Sequence, residues 1–138
     1  MEGKRPVMDR QEHADVRLGL SSKSLGIWDN GFYVEGSIGG KVVTFLVDSG
    51  STSTLISAKL HQSLQTKDFP LSAVSRSLRD VNGNNLTIHG SMDLGIKLKE
   101  DTYMIPALVC DISQDAILGQ DFLLRYVHKI DFQNLQIR

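Results

Sequence analysis

An apolar run that stops on a carboxylate constrains this chain more than any other stretch. Val42-Val43-Thr44-Phe45-Leu46-Val47 gives way at once to Asp48-Ser49-Gly50-Ser51-Thr52-Ser53-Thr54, and apolar character resumes at Leu55-Ile56. The run predicts a buried strand. Asp48-Ser49-Gly50 predicts a tight turn, with Gly supplying the backbone freedom. A carboxylate at the mouth of a buried strand, among hydroxyls able to hydrogen-bond to it, is well placed for acid–base chemistry. Asp, Ser and Gly are also ordinary turn residues, so the tripeptide acquires meaning only from the rest of the chain.

That remainder reads as short strands. Residues 1–24 are polar without sustained periodicity and are expected to be an N-terminal extension to a domain spanning 25–138. Asp15 to Leu20 alternates only weakly. Gly31 to Ile38 predicts a strand, Gly39-Gly40 a hairpin turn, and Lys41 to Val47 the returning strand. Leu55 to Ser57 continues as a short strand, with a helical turn at Ala58 to Leu64. Val74 to Val81 and Leu86 to Ile88 flank Asn82-Gly83-Asn84-Asn85, and Asn-Gly between β-like runs is a strong hairpin signal. Met92 to Lys99 alternates with period two, which predicts a strand with one wet face. Tyr103 to Val109 returns, Ala116-Ile117-Leu118 ends on Gly119, and Asp121 to Val127 carries a helical spacing. Strands at Ile130–Phe132 and Leu135–Ile137 close the chain. The pattern predicts an all-β, closed barrel-like fold with one short C-terminal helix.

Composition narrows the functions. The chain has 138 residues, a formal net charge of −1 and 22% charged residues, as a single globular domain would. Its cations are dispersed, which argues against nucleic acid and membrane surfaces as partners. One cysteine, Cys110, precludes an internal disulfide and a multi-cysteine metal site, and the four histidines show no ligand spacing. Neither metal nor cofactor is expected. No apolar run approaches the ~20 residues of a membrane span. The polar sequence after Met1-Glu2-Gly3-Lys4-Arg5 predicts no secretory signal, so the expectation is a reducing, cytoplasmic setting.

Three features in order now carry a resemblance: the strand entering Asp48-Ser49-Gly50-Ser51, the hairpin at Val81-Asn82-Gly83-Asn84-Asn85-Leu86, and Ile117-Leu118-Gly119-Gln120-Asp121 before a helix. This order, from about Trp28 to the C-terminus, resembles the retropepsins, the aspartic proteases of retroviruses and LTR retrotransposons. Gly31-Phe32-Tyr33-Val34-Glu35-Gly36 is similar to the wording of domesticated cellular members, such as the skin-type protease. The resemblance implies a catalytic Asp48, with Ser49, Gly50 and Ser51 forming the active-site turn and dimer lock. It implies that Gly50, Thr52 and Ser53 contact substrate and line the cleft floor. Val81, Asn82, Gly83, Asn84 and Asn85 become a flap closing over a bound peptide, and Ile117, Leu118 and Gly119 the second apolar-Gly element.

Chemistry bears on this independently. Peptide hydrolysis by water needs a base for the water's proton and an acid for the substrate oxygen. Two carboxylates sharing a proton do both, yet the chain holds one such turn. Asp29-Asn30-Gly31 follows no apolar strand, and Asp93-Leu94-Gly95 lies inside an alternating one. The expectation is therefore a twofold homodimer hydrolysing peptides or a polyprotein, its own precursor included. Viral members carry acidic residues where this chain has Thr52 and Ser53, and Arg where it has Gln120. At best a neutral hydrogen bond would link Thr52 to Gln120, which predicts a looser dimer. A Ser51 hydroxyl donating to Asp48 would favour the ionised carboxylate and an acidic optimum. The competing expectations are a retropepsin-like domain of the ubiquitin-shuttle type and an inactive fold kept for dimerisation or peptide binding.

Overall fold

The computed structural model describes residues 16–17, 19–20, 32–64, 69–79, 82–131 and 136–137. Val81, Gly31 and most of the 1–24 extension lie outside the described residues.

The weak alternation after Asp15 resolves into two short strands, β1 (Val16–Arg17) and β2 (Gly19–Leu20). β2 pairs with β3 (Phe32–Ile38), and β3 turns into β4 (Lys41–Val47) through Gly39 and Gly40. Both glycines have positive φ, 57° and 84°, the combination that a tight two-residue hairpin turn demands. Next come β5 (Thr54–Ser57) and α1 (Ala58–Ser63). The helix is capped by Ser57, whose hydroxyl accepts from Leu60 N at 2.9 Å. The helical turn expected at Ala58 to Leu64 is thus a short helix, in addition to the C-terminal one.

The Asn-Gly hairpin is present but small: β6 (Leu78–Arg79) pairs with β7 (Asn85–Leu86), with Gly83 at φ 84°. β8 (Ile88–Leu98) is one long strand where two shorter pieces were read. A register shift between Ile88 and Gly90 absorbs the irregularity that looked like a break. Beyond it Met92, Leu94, Ile96 and Leu98 point inward, as the period-two pattern required. β9 (Asp101–Cys110) returns against β8, followed by β10 (Ala116–Leu118), α2 (Gln120–Tyr126), β11 (Ile130–Asp131) and β12 (Gln136–Ile137). The last strand joins the two ends of the chain, pairing with both β1 and β11.

The main sheet runs β2-β3-β4-β10-β5-β9-β8, and a β3–β8 pairing at Ser37 and Lys97 closes six of its strands into a barrel. Closure brings two backbones together at Gly36. A Cβ there would lie 2.5 Å from the Lys97 carbonyl and 2.6 Å from a Leu98 methyl, so only glycine fits. Phe45, Ile56, Leu94, Ile96, Leu118 and Phe122 fill the barrel, each at 1% exposure or less. Burial of each contributes about 1.5–3 kcal/mol. A smaller apolar group, Leu55, Leu108, Cys110 and Ile117, packs on the other side of the sheet, next to Leu46, Leu78 and Ile112.

Candidate active site

β10 does not pair with β9, the strand before it in sequence; it inserts between β4 and β5. Its pairing with β4 is parallel, setting Phe45, Leu46 and Val47 opposite Ala116, Ile117 and Leu118. Its pairing with β5 is antiparallel. The ends of β4 and β10 therefore lie side by side, and both chains turn there. Asp48 N donates to Leu118 O at 3.0 Å as the last rung of the pairing.

The turn at Asp48 is held from below by the turn at Gly119. Gln120 N donates to Ser51 O at 2.7 Å, Asp121 N to Thr52 O at 3.3 Å, and the Gln120 amide to Ser49 O at 2.7 Å. A Cβ on Gly119 would run into the Ser53 carbonyl and come within 2.8 Å of the Ser51 carbonyl. Beneath this lies Thr54, fully buried. Its hydroxyl donates to Asp121 Oδ1 at 2.7 Å and accepts from Gly119 N at 3.2 Å. The Asp121 carboxylate also accepts from Thr54 N and from Phe122 N. Three donors hold this carboxylate in a structural role, filling most of its acceptor sites.

Asp48 itself is half-buried, with Ser49 and Gly50 exposed beside it. Gly50 N donates to Asp48 Oδ1 at 2.9 Å, which orients the carboxylate. The Ser51 hydroxyl does not reach Asp48. It donates to Ser53 O at 2.7 Å, so the hydrogen bond expected between Ser51 and Asp48 is absent within this chain. The cause is local: a serine hydroxyl satisfies a carbonyl two residues on more readily than it reaches back across the turn.

Asp48, Gly50 and Ser51 open onto a cleft of about 270 Å³. Its walls are Leu46, Leu55 and Ile117 from the sheet, Ile112 and Gln114 from the loop before β10, and Arg79 and Leu86 from the hairpin. Ile117 thus lines the cleft, whereas Leu118 is buried beneath it and Gly119 seats the turn. Thr52 and Ser53, expected on the cleft floor, line a neighbouring cavity of about 430 Å³ instead. Ser53 is buried, and its hydroxyl accepts from Arg76 at 2.9 Å. Nor do Thr52 and Gln120 join side chains, because the Gln120 amide is taken by the Ser49 carbonyl. Asn82, Gly83 and Asn84 lie in the hairpin turn and Asn85 on its returning strand β7, and none of the four is in the cleft wall. Arg79, Ile112 and Gln114 were not singled out in the sequence, and Leu86 only as the end of the hairpin motif. Arg79 carried a faint signal, as a cation between an apolar residue and the Asn-Gly turn.

The chain resembles known proteins in family and in fold. The aspartyl protease family model matches residues 34–122, more than half of the chain. The chain belongs to this family. In fold, the family member resembles the retroviral protease-like domain of Ddi1 from Leishmania major, with a TM-score of 0.62 and 19% identity over 78% of this chain and 91% of that one. It resembles the EIAV protease complexed with the inhibitor HBY-793 at 0.59 and 21%, covering 73% and 92% of the two chains. A retropepsin-like aspartic protease from Rickettsia conorii matches at 0.57 and 15%, covering 90% and 86%. The fold is that of a retropepsin lobe, and family and fold together support a general aspartic protease function. Among the described residues, no helix is long and apolar enough to cross a membrane.

Proposed function

We propose that this chain is an aspartic endopeptidase whose active centre is completed by a second copy of itself. The observation that carries the reading is the cleft at Asp48. It holds an oriented carboxylate on a turn locked to the Gly119 element, and no other carboxylate lines it among the described residues. Half of a dyad is present, and twofold symmetry supplies the other half from the same residue. Ser49 is exposed at the top of the turn, and in the proposed dimer it would meet its counterpart and tie the two turns together.

In the dimer the two Asp48 groups share one proton, since like charges in close approach do not both ionise; aspartic-protease dyads are the usual example of this behaviour. The ionised carboxylate takes a proton from water as its oxygen attacks the scissile carbonyl carbon. The protonated carboxyl donates to the carbonyl oxygen, giving a tetrahedral diol. Collapse returns a proton from the diol to the carboxylate and delivers one to the departing amine. Gly50 allows the peptide backbone to lie close, and the hairpin carrying Arg79 and Leu86 closes over it to exclude water. The substrate is an extended peptide or polyprotein, held largely by backbone hydrogen bonds. No metal or cofactor enters the scheme.

The test is cleavage of a peptide library by wild type and Asp48→Asn, with and without pepstatin. Cleavage by wild type alone, blocked by pepstatin, is the expected result; no cleavage at acid or neutral pH overturns the reading. The likeness to the Ddi1 domain favours a second reading, a ubiquitin-shuttle type of retropepsin-like domain. Cleavage restricted to ubiquitin-conjugated substrates in the same assay would select it.

A further inference from the structure

Apart from Asp48, the charged groups lining the cleft and its neighbouring cavity are three arginines and Asp121, whose carboxylate already accepts three hydrogen bonds. Arg79 lines the Asp48 cleft. Arg76 and Arg125 line the adjoining cavity beyond the 51–53 segment, together with Asp121. Asp121 spends its carboxylate on Thr54 N, the Thr54 hydroxyl and Phe122 N. The arginines have only neutral partners: Arg79 donates to the Gly83 carbonyl, Arg76 to the Ser53 hydroxyl, and Arg125 lies 5.3 Å from the centre of the Tyr126 ring. Among the described residues none of the three forms an ion pair with a carboxylate. Yet the whole chain is slightly acidic, at a net charge of −1. The two linings together carry three arginines against two carboxylates, a slight cationic excess in a slightly acidic chain.

We propose that Arg79, with Arg76 and Arg125 flanking it, makes this site selective for peptides bearing Glu or Asp side chains on either side of the scissile bond. The inference rests on the peptidase reading and names its substrate class. A guanidinium fork with donors to spare recognises a carboxylate through paired, charge-assisted hydrogen bonds. Apolar walls at Leu46, Leu55, Leu86 and Ile117 lower the local polarity and strengthen that attraction. Arg79 stands on the hairpin, so a substrate carboxylate binding it would also draw the hairpin down.

The experiment uses the full chain and a library peptide that wild type cuts and Asp48→Asn does not. Versions carrying Glu, Gln or Lys at the positions flanking the scissile bond are compared at about pH 6, where Glu is ionised. The expected kcat/KM for the Glu peptide exceeds that for Gln by ~10-fold in low salt, narrowing as salt rises. In Arg79→Glu the order reverses and the Lys peptide becomes the best substrate, an outcome that a merely loosened hairpin would not produce. Arg76→Glu and Arg125→Glu change the preference at outer positions. Equal rates for Glu and Gln, or a preference unmoved by Arg79→Glu, overturn the proposal while leaving the peptidase intact. If nothing is cut, the peptidase reading fails, and binding of labelled Glu and Gln peptides decides the charge selectivity alone. Equal affinities then overturn it; tighter Glu binding that Arg79→Glu abolishes sustains it.

Discussion

The hydroxyl of Thr54 donates to Asp121 at 2.7 Å across 67 positions of sequence, inside the protein and directly under the Asp48 turn. The same oxygen accepts from Gly119, so a single buried atom ties β5 to the start of α2 and to the end of β10. Thr54→Val keeps the shape and removes both functions. Leaving the Asp121 carboxylate and the Gly119 amide short of partners costs about 1–3 kcal/mol. Thermal unfolding should show the lower Tm; a variant as stable as wild type would mean that the network carries no net energy.

Gly119→Ala addresses the seat of the same turn. The added methyl meets the Ser51 and Ser53 carbonyls, and backbone cannot swing aside as a flexible side chain does. Overpacking of this kind costs about 1–3 kcal/mol. Because the displaced segment carries Asp48, peptidase activity should fall by more than the loss of folded protein explains. Circular dichroism and activity measured on one sample separate the two.

Dimer dependence is tested by mixing. Asp48→Asn and wild type, combined in equal amounts and allowed to exchange, leave only about a quarter of random pairs with both carboxylates. Activity per wild-type chain should therefore fall to about half. Unchanged activity per wild-type chain would show that one chain works alone. The neutral Gln120–Ser49 contact replaces any ion pair at this place, so activity should also fall on dilution as the pair separates.

Cys110 makes the pH prediction. Burial, and next the adjacent Asp111 charge, push its thiol up to about 11 from an ordinary 9.0. The folded state thus holds the proton over a range where the unfolded chain has released it. That contribution is complete below about pH 9 and is lost as pH rises toward 11, amounting to about 3 kcal/mol. Burial raises the Tyr103 phenol as well, in the same direction. Urea midpoints should accordingly fall between pH 9 and 11, and Cys110→Ser should flatten that fall. At neutral pH the native thiol should react with iodoacetamide far more slowly than the unfolded one.

Local chemistry was readable where it is written locally. The β3–β4 hairpin follows from Gly39-Gly40 between alternating runs, and the inward Met92, Leu94, Ile96 and Leu98 follow from period two. The Asp48 turn and the Ile117-Leu118-Gly119 element were also visible as residues. That one seats the other was not, because it rests on the parallel β4–β10 register, a relation between distant segments. The hydroxyl direction at Ser51 was misread for a related reason. A turn hydroxyl chooses among several nearby acceptors, and only the folded backbone decides which is in reach. The pieces read separately at Leu86 to Ile88 and from Met92 are joined in β8 through Gly90, since a bulge and a turn draw on the same residue type.

The parallel pairing of β4 with β10 also sets a clock on synthesis. Asp48 and everything N-terminal to it leave the ribosome long before Ala116, and until β10 arrives the turn has no floor. Pairings this distant in sequence form late and slowly. A nascent or truncated chain ending before Gly119 would carry the carboxylate without the seat that aims it, and a partner could not lock onto it. The arrangement leaves the Asp48 turn unassembled until nearly the whole chain has been made.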